Sequence, residues 1–128
     1  MPYKGLQANL AWAAGFVDGE GCFTHQWIET LKDGTVYRYP KMCISQSGTD
    51  ELLKRFREIV GVGTVREAGG QHKTAKKPRY VYNAHGFDAV QQVYSMLYQY
   101  LGLVKREQGK KVLDLFLLHK HRNLRRTK

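Results

Sequence analysis

Two carboxylates, Asp18 and Glu20, sit among three glycines in the run WAAGFVDGEGCF, Trp12 to Phe23. The run begins with the apolar spacing of a helix and ends with the composition of a strand, so the acids fall where a helix is stopping. The C-terminal end of a helix carries partial negative charge on its unpaired carbonyls, which makes it a poor place for more negative charge. Something positive must stand nearby. One candidate is a Lys or Arg; the other is a divalent cation such as Mg2+ or Ca2+, which takes carboxylate and carbonyl oxygens together.

The whole chain carries a related signal. In 128 residues, 21 Lys and Arg stand against 11 Asp and Glu, a formal charge of +10. One domain of this size holds a real core but not two independent ones, and neither repeats nor low-complexity segments argue otherwise. So strong a positive field points to a polyanion, nucleic acid before an acidic membrane surface. Every apolar stretch is soon broken by charge, so no segment is expected to span a bilayer. No secretory signal pattern is present, and the location expected is intracellular: an organelle, a microbial cytoplasm or a phage-infected cell. Cys22 and Cys43 lack CxxC or His/Cys clustering, so they read as small strand residues in a reducing compartment and a zinc module is not expected. His119 and His121 belong to a basic tail from about residue 119 to 128.

Four helices and four strands must position the two acids. Residues 8–16 read as a helix in which Ala11, Gly15 and, just beyond, Gly19 recur every four residues. Such a strip lets another backbone approach closely, either the chain's own core or a second copy. CFTHQWIET and VYRYPKMCIS alternate as strands joined by an Asp33-Gly34 turn. SGTDELLKRFREIVG predicts a helix capped by Ser47 or Thr49 and ended by Gly61. GTVREAGG and RYVYNAH follow as strands around the lysine-bearing loop QHKTAKKP. FDAVQQVYSMLYQYLG predicts a third helix closed by Gly102, and GKKVLDLFLLHKH a fourth. The order implies an α+β domain whose four-stranded antiparallel sheet is covered by helices on one face.

On the other face, one strand parity collects Thr24, Gln26, Ile28 and Thr30, then Tyr37, Tyr39, Lys41 and Cys43, then Thr64 and Arg66. The opposite parity holds Phe23, Trp27, Met42, Ile44 and Val65, which suit a core. With Lys73, Lys76 and Lys77 in the adjoining loop, the polar parity suits a nucleic-acid groove, where Gln, Arg and Lys read base edges and lysines hold phosphates. Arg79 is a further candidate on the fourth strand, whose parity is ambiguous.

AAGFVDGEG, Ala13 to Gly21, resembles the namesake motif of the LAGLIDADG homing endonucleases. Ala14, Gly15, Asp18 and Gly21 match it outright, Phe16, Val17 and Glu20 are close substitutes, and Ala13 and Gly19 depart toward smaller side chains. The order of later elements is also similar, including the GVG turn at Gly61–Gly63. The resemblance implies an αββαββα domain of single-motif type spanning residues 1–128, with Glu20 and the Gly19 carbonyl holding Mg2+, or Mn2+ or Ca2+ in its place. Asp18 is left either as a backbone partner or as a further metal ligand. The resemblance further implies that Gln46 and, before the last helix, Lys105 act around the attacking water as catalytic residues. It also implies a basic residue near Gln46; SGTDE holds none, and Lys54 or Arg55 are the substitutes. Ala11, Gly15, Asp18 and Gly19 become the interface of a homodimer.

The expected activity is site-specific, metal-dependent cleavage of a long near-palindromic duplex DNA, leaving short 3′ overhangs. The alternative is a non-cleaving protein on the same fold, either a splicing cofactor for intron RNA or a DNA-binding regulator.

Overall fold

The computed structural model describes residues 6–29, 35–68, 77–119 and 124–125, with backbone alone at 27–29, 35–37, 119 and 124–125. The first helix, α1, runs Leu6–Glu20, longer at both ends than its apolar pattern predicts and continuous through Asp18, Gly19 and Glu20. Gly21 opens β1 (Gly21–Glu29) with no connecting loop. A Cβ on Gly21 would stand 3.0 Å from the Val17 Cα, so the strand can leave the helix this closely only without a side chain there. β2 (Thr35–Ser47), α2 (Glu51–Val60), β3 (Thr64–Glu67) and β4 (Arg79–His85) follow, then α3 (Phe87–Leu97) and α4 (Leu103–His119). A two-residue strand, β5 (Leu124–Arg125), pairs with the start of β2.

The four main strands are antiparallel in the order β1-β2-β4-β3. Phe23, Met42, Ile44, Tyr82 and Ala84 point into the helical layer, where they meet Ala13, Ala14 and Val17 of α1, Phe56 of α2 and Val93 of α3. Each such large apolar side chain contributes roughly 1.5–3 kcal/mol by leaving water. The predicted α+β architecture, with its sheet covered on one face, is the architecture observed.

Three boundaries differ from expectation. Ser47 belongs to β2, and the first N–H of α2, that of Glu51, is bonded to Oγ1 of Thr49 at 3.2 Å. Gly102 does not close α3, which ends at Leu97 and passes through a 3-10 turn, Tyr98–Tyr100. α4 starts at Leu103, before Gly109, so Lys105 lies inside the last helix rather than ahead of it. Gly109 looks like a helix boundary in sequence. It is an interior glycine because the Tyr94 ring occupies the space a Cβ would need, while the Tyr94 hydroxyl donates to the Arg106 carbonyl at 2.7 Å. Among the described residues, no helix is long and apolar enough to cross a membrane.

The expected Asp33-Gly34 turn, Thr30, Lys73, Lys76 and most of the basic tail lie outside the described residues. So do the side chains of Trp27, Ile28 and Tyr37.

Candidate active site and nucleic-acid interface

Asp18 and Glu20 leave the same turn of α1 and meet different fates. Both carboxylate oxygens of Asp18 accept the backbone N–H of Gly102, each at 3.0 Å. Gly102 immediately precedes α4, so the positive partner of Asp18 is the N-terminus of another helix, where negative charge is favourable. A Cβ on Gly102 would stand 3.3 Å from Asp18 Oδ2, which leaves little room for a larger residue. Asp18 thus pins the start of α4 to the end of α1. Although it was expected among the dimer contacts, its carboxylate is committed within the chain.

Glu20 is exposed, and among the described residues no hydrogen bond or ion pair engages its carboxylate. Its neighbour Gly21 pairs with Ile44, and Gln46 stands two residues further along β2, about 7 Å on at strand rise. Gln46 is half-buried, and its Nε2 donates to the Ser45 carbonyl at 3.0 Å. Lys105, also half-buried, follows Gly102 by three residues in the first turn of α4. The fold therefore brings Gln46 to the end of the sheet where Glu20 emerges, and the Asp18–Gly102 bonds bring in the turn bearing Lys105. Of the run LGLV only Leu101 is buried; Leu103 and Val104 are 71% and 69% exposed, so the run itself does not hold Lys105.

The substitutes suggested for a basic group near Gln46 are otherwise occupied. Lys54 pairs with Asp50 at 3.2 Å, and the Arg55 guanidinium lies 3.9 Å from the Trp12 ring centre. Arg79 takes a place the sequence left ambiguous: Tyr82 and Ala84 enter the core, so Arg79 shares the open face with Val81, Asn83 and His85. Its Nη2 donates to Ser45 Oγ at 3.4 Å, beside Gln46.

The open face follows from the register. Thr24 pairs with Lys41 and Gln26 with Tyr39; Lys41 in turn pairs with His85, Cys43 with Asn83, and Asn83 with Thr64. Arg66 pairs with Val81. Among the described residues of the four strands, this face carries no carboxylate. Lys41 and Arg66 lower the pKa of His85 after burial, the larger cause, and Lys41 and Arg79 both act on Cys43, so these cations lie close together. Gln26 Oε1 lies 3.0 Å from His85 Nδ1, a contact not expected from sequence. Tyr39 is only partly available, its ring centre 6.4 Å from that of Phe116 in α4. Lys77 is exposed at the loop end.

A third surface runs along α1. Ala11, Gly15 and Gly19 are exposed, opposite the buried Ala13, Ala14 and Val17. A Cβ on Gly15 or Gly19 would meet nothing within 4 Å, so the chain's own core does not require either glycine.

Comparison with known proteins agrees with this fold. The homing endonuclease I-CvuI, solved with its target in the presence of 2 mM Ca, superposes with a TM-score of 0.72 at 28% identity over 88% of this chain and 68% of that one. I-TnaI, another homing endonuclease, gives a TM-score of 0.70 at 24% identity over 88% and 74%. The archaeal intron-encoded I-Vdi141I, complexed with DNA, gives 0.70 at 21% over 91% and 74%. No curated protein matches at a significant level. The family model described as LAGLIDADG endonuclease matches residues 13–121, so the chain belongs to the LAGLIDADG homing endonuclease family.

Proposed function

We propose that this chain is a single-domain, divalent-metal-dependent endodeoxyribonuclease that acts as a homodimer on a long near-palindromic DNA target. The observation that carries the reading is the carboxylate of Glu20, unengaged among the described residues and set at the edge of an open basic face on which the described residues place no carboxylate. The Glu20 carboxylate beside the Gly19 carbonyl is an all-oxygen donor set that suits a hard cation of the Mg2+ type, which these two groups would hold. When bound, such a cation polarises the phosphate and makes a water more acidic.

The chain's own groups supply the rest. Hydrolysis forms a bond from a water oxygen to phosphorus and breaks one phosphoester bond. Gln46, its Nε2 engaged on Ser45, has Oε1 left to accept a hydrogen bond from that water and orient it, the water's proton passing to solvent and the leaving oxygen taking one from solvent. Lys105 and Arg79 offset the charge that builds on the phosphoryl oxygens. Thr24, Gln26, Tyr39, Lys41, Cys43, Thr64 and Arg66 face the groove, and Lys77 at its margin meets phosphates.

Each copy offers one Glu20, so cutting both strands takes two copies. The strip at Ala11, Gly15 and Gly19 suits the twofold contact because α1 is apolar nearly all round, and a helix of that kind is ordinarily covered on every side. Two half-sites one turn apart give a target of about two turns, roughly 20 base pairs, cut with short 3′ overhangs.

The test is incubation with a randomised duplex library, with Mg2+ or with EDTA, followed by sequencing of cut ends. Metal-dependent cuts at one near-palindromic sequence are expected. Retention of one duplex sequence without cutting turns the reading to a DNA-binding regulator, and selective retention of intron RNA instead turns it to a splicing cofactor.

A further inference from the structure

The two cysteines of the chain stand directly opposite each other in the β1–β2 ladder, on the open face. Their pairing class follows from a neighbour. β1 is an edge strand, and the Phe23 N–H points away from β2, donating to Gln108 Oε1 at 3.4 Å. N–H directions alternate along a strand, so Cys22 turns its N–H toward Cys43 and the two form a hydrogen-bonded pair, with Cα atoms about 5.5 Å apart. Disulfides are commonest at Cα separations of about 5.5–6 Å. The Cβ atoms, about 5 Å apart in such a pair, would have to close by about 1 Å, which makes the bridge easy to reduce again.

The two thiols also differ in the way a stepwise oxidation needs. Cys22 is exposed, its S–H directed at the Phe23 carbonyl 3.7 Å away, and it is open to a small oxidant. Cys43 is half-buried; burial, and then Cys22 itself, push its thiol up, so it is suited to wait as the second partner. Position gives the pair its consequence. Cys22 follows Gly21 and Glu20 directly, so drawing the strands together shifts the backbone from which Glu20 projects.

We propose that Cys22 and Cys43 are a reversible thiol–disulfide pair, oxidised by hydrogen peroxide, that switches off cleavage at the adjoining Glu20. Peroxide converts the Cys22 thiol to a sulfenic acid with release of one water. The Cys43 thiol then displaces the second water and closes the disulfide, so one peroxide is reduced as two thiols are oxidised. The cleavage half of this inference rests on the endonuclease reading; the crosslink does not.

The experiment treats the full chain with hydrogen peroxide, maps peptides without reduction, and measures cutting and retention of the selected duplex before and after dithiothreitol. Expected is a peptide pair joined through Cys22 and Cys43 of one chain, with cutting slowed about 100-fold, as for a reacting group displaced by about 1 Å, and restored by dithiothreitol. In Cys22→Ser the ratio of cutting before and after peroxide should be near one. Over-oxidised Cys22 without the joined peptide, a bridge between two chains, or a joined chain that cuts as fast as the reduced one each overturns the proposal. If the reduced chain cuts nothing, the endonuclease reading and the cleavage half of the switch fall together, and the reversible crosslink stands or falls on the joined peptide and its loss with dithiothreitol.

Discussion

The end of α1 and the open face of the sheet lie side by side and are built on opposite terms. At the helix end, positions are fixed by the backbone: Asp18 on the Gly102 N–H, Gln46 on the Ser45 carbonyl, and Gly21 pressed against Val17. Across the sheet the ladder fixes only which way a side chain projects: Gln26, Arg66, Arg79 and His85 are exposed, and the bonds that Gln26, His85 and Arg79 make go to side chains, not to the backbone. Chemistry at a phosphate tolerates displacements of only a fraction of an ångström, and it gets a scaffold. Recognition of a sequence must be changeable residue by residue without disturbing the fold, and it gets projecting side chains.

The sharpest way to break this division is Glu20→Gln. Cutting should fall to background while the selected duplex is still retained, because no internal bond of the fold is lost; measurable cutting by this variant would remove Glu20 from the chemistry. The next largest effect concerns the strip on α1. Gly15→Leu has open space around it within one chain, so the variant should fold and bind duplex weakly, yet sediment as a monomer and fail to cut both strands. A Gly15→Leu protein that sediments as a dimer would place the twofold contact elsewhere.

The two regions were also unequally legible in the sequence. Strand parity shows on residues that alternate between apolar and polar, so Thr24, Lys41 and Arg66 could be placed on the open face before any coordinates. In β4, RYVYNAH, Val81 interrupts the polar parity and tyrosines fill the other, which hid Arg79 and His85; recognising Tyr82 and Ala84 as core would have released them. The motif marked Glu20, but the acceptor role of Asp18 depends on a residue 84 positions away, and local spacing carries no trace of it. Gly109 misled for a similar reason: its cause is the ring of Tyr94 on another helix.

Asp18→Ala tests whether the scaffold serves the chemistry. Losing a helix-end acceptor of this kind costs about 1 kcal/mol, or roughly 3–6 °C in Tm for a chain of this length. Cutting should fall by more than that loss of stability explains, since the first turn of α4 and Lys105 lose their anchor. Unchanged cutting at a temperature where the variant is fully folded would show that Lys105 is held some other way. On the open face the effects should be smaller and of another kind. Arg66→Ala should lower the slope of log K against log salt by about 0.9 for each copy on the duplex, so about 1.8 for a dimer, if each Arg66 meets one phosphate, with little change in turnover of bound duplex; a slope equal to that of the unaltered chain would move Arg66 from phosphate to base contact.

The smallest effects separate the regions by the sign of their pH dependence. Burial first, and then Arg38, lower the pKa of His25 below its ordinary 6.5, and burial with Lys41 and Arg66 does the same for His85. Between the folded value and 6.5 each binds fewer protons folded than unfolded, so its contribution to stability is complete above pH 6.5 and declines as pH falls through the folded value. DNA reverses the sign for His85 alone, because phosphates laid on the open face favour its charged form and the complex takes up a proton. Affinity should therefore rise between pH 7 and pH 5.5, roughly the window below an ordinary histidine, while Tm falls. His85→Gln should abolish the rise in affinity and leave most of the fall in Tm to His25, whose Nε2 is buried without a partner among the described residues. If the affinity of His85→Gln still rises on acidification, the proton is taken up elsewhere and His85 lies outside the duplex footprint.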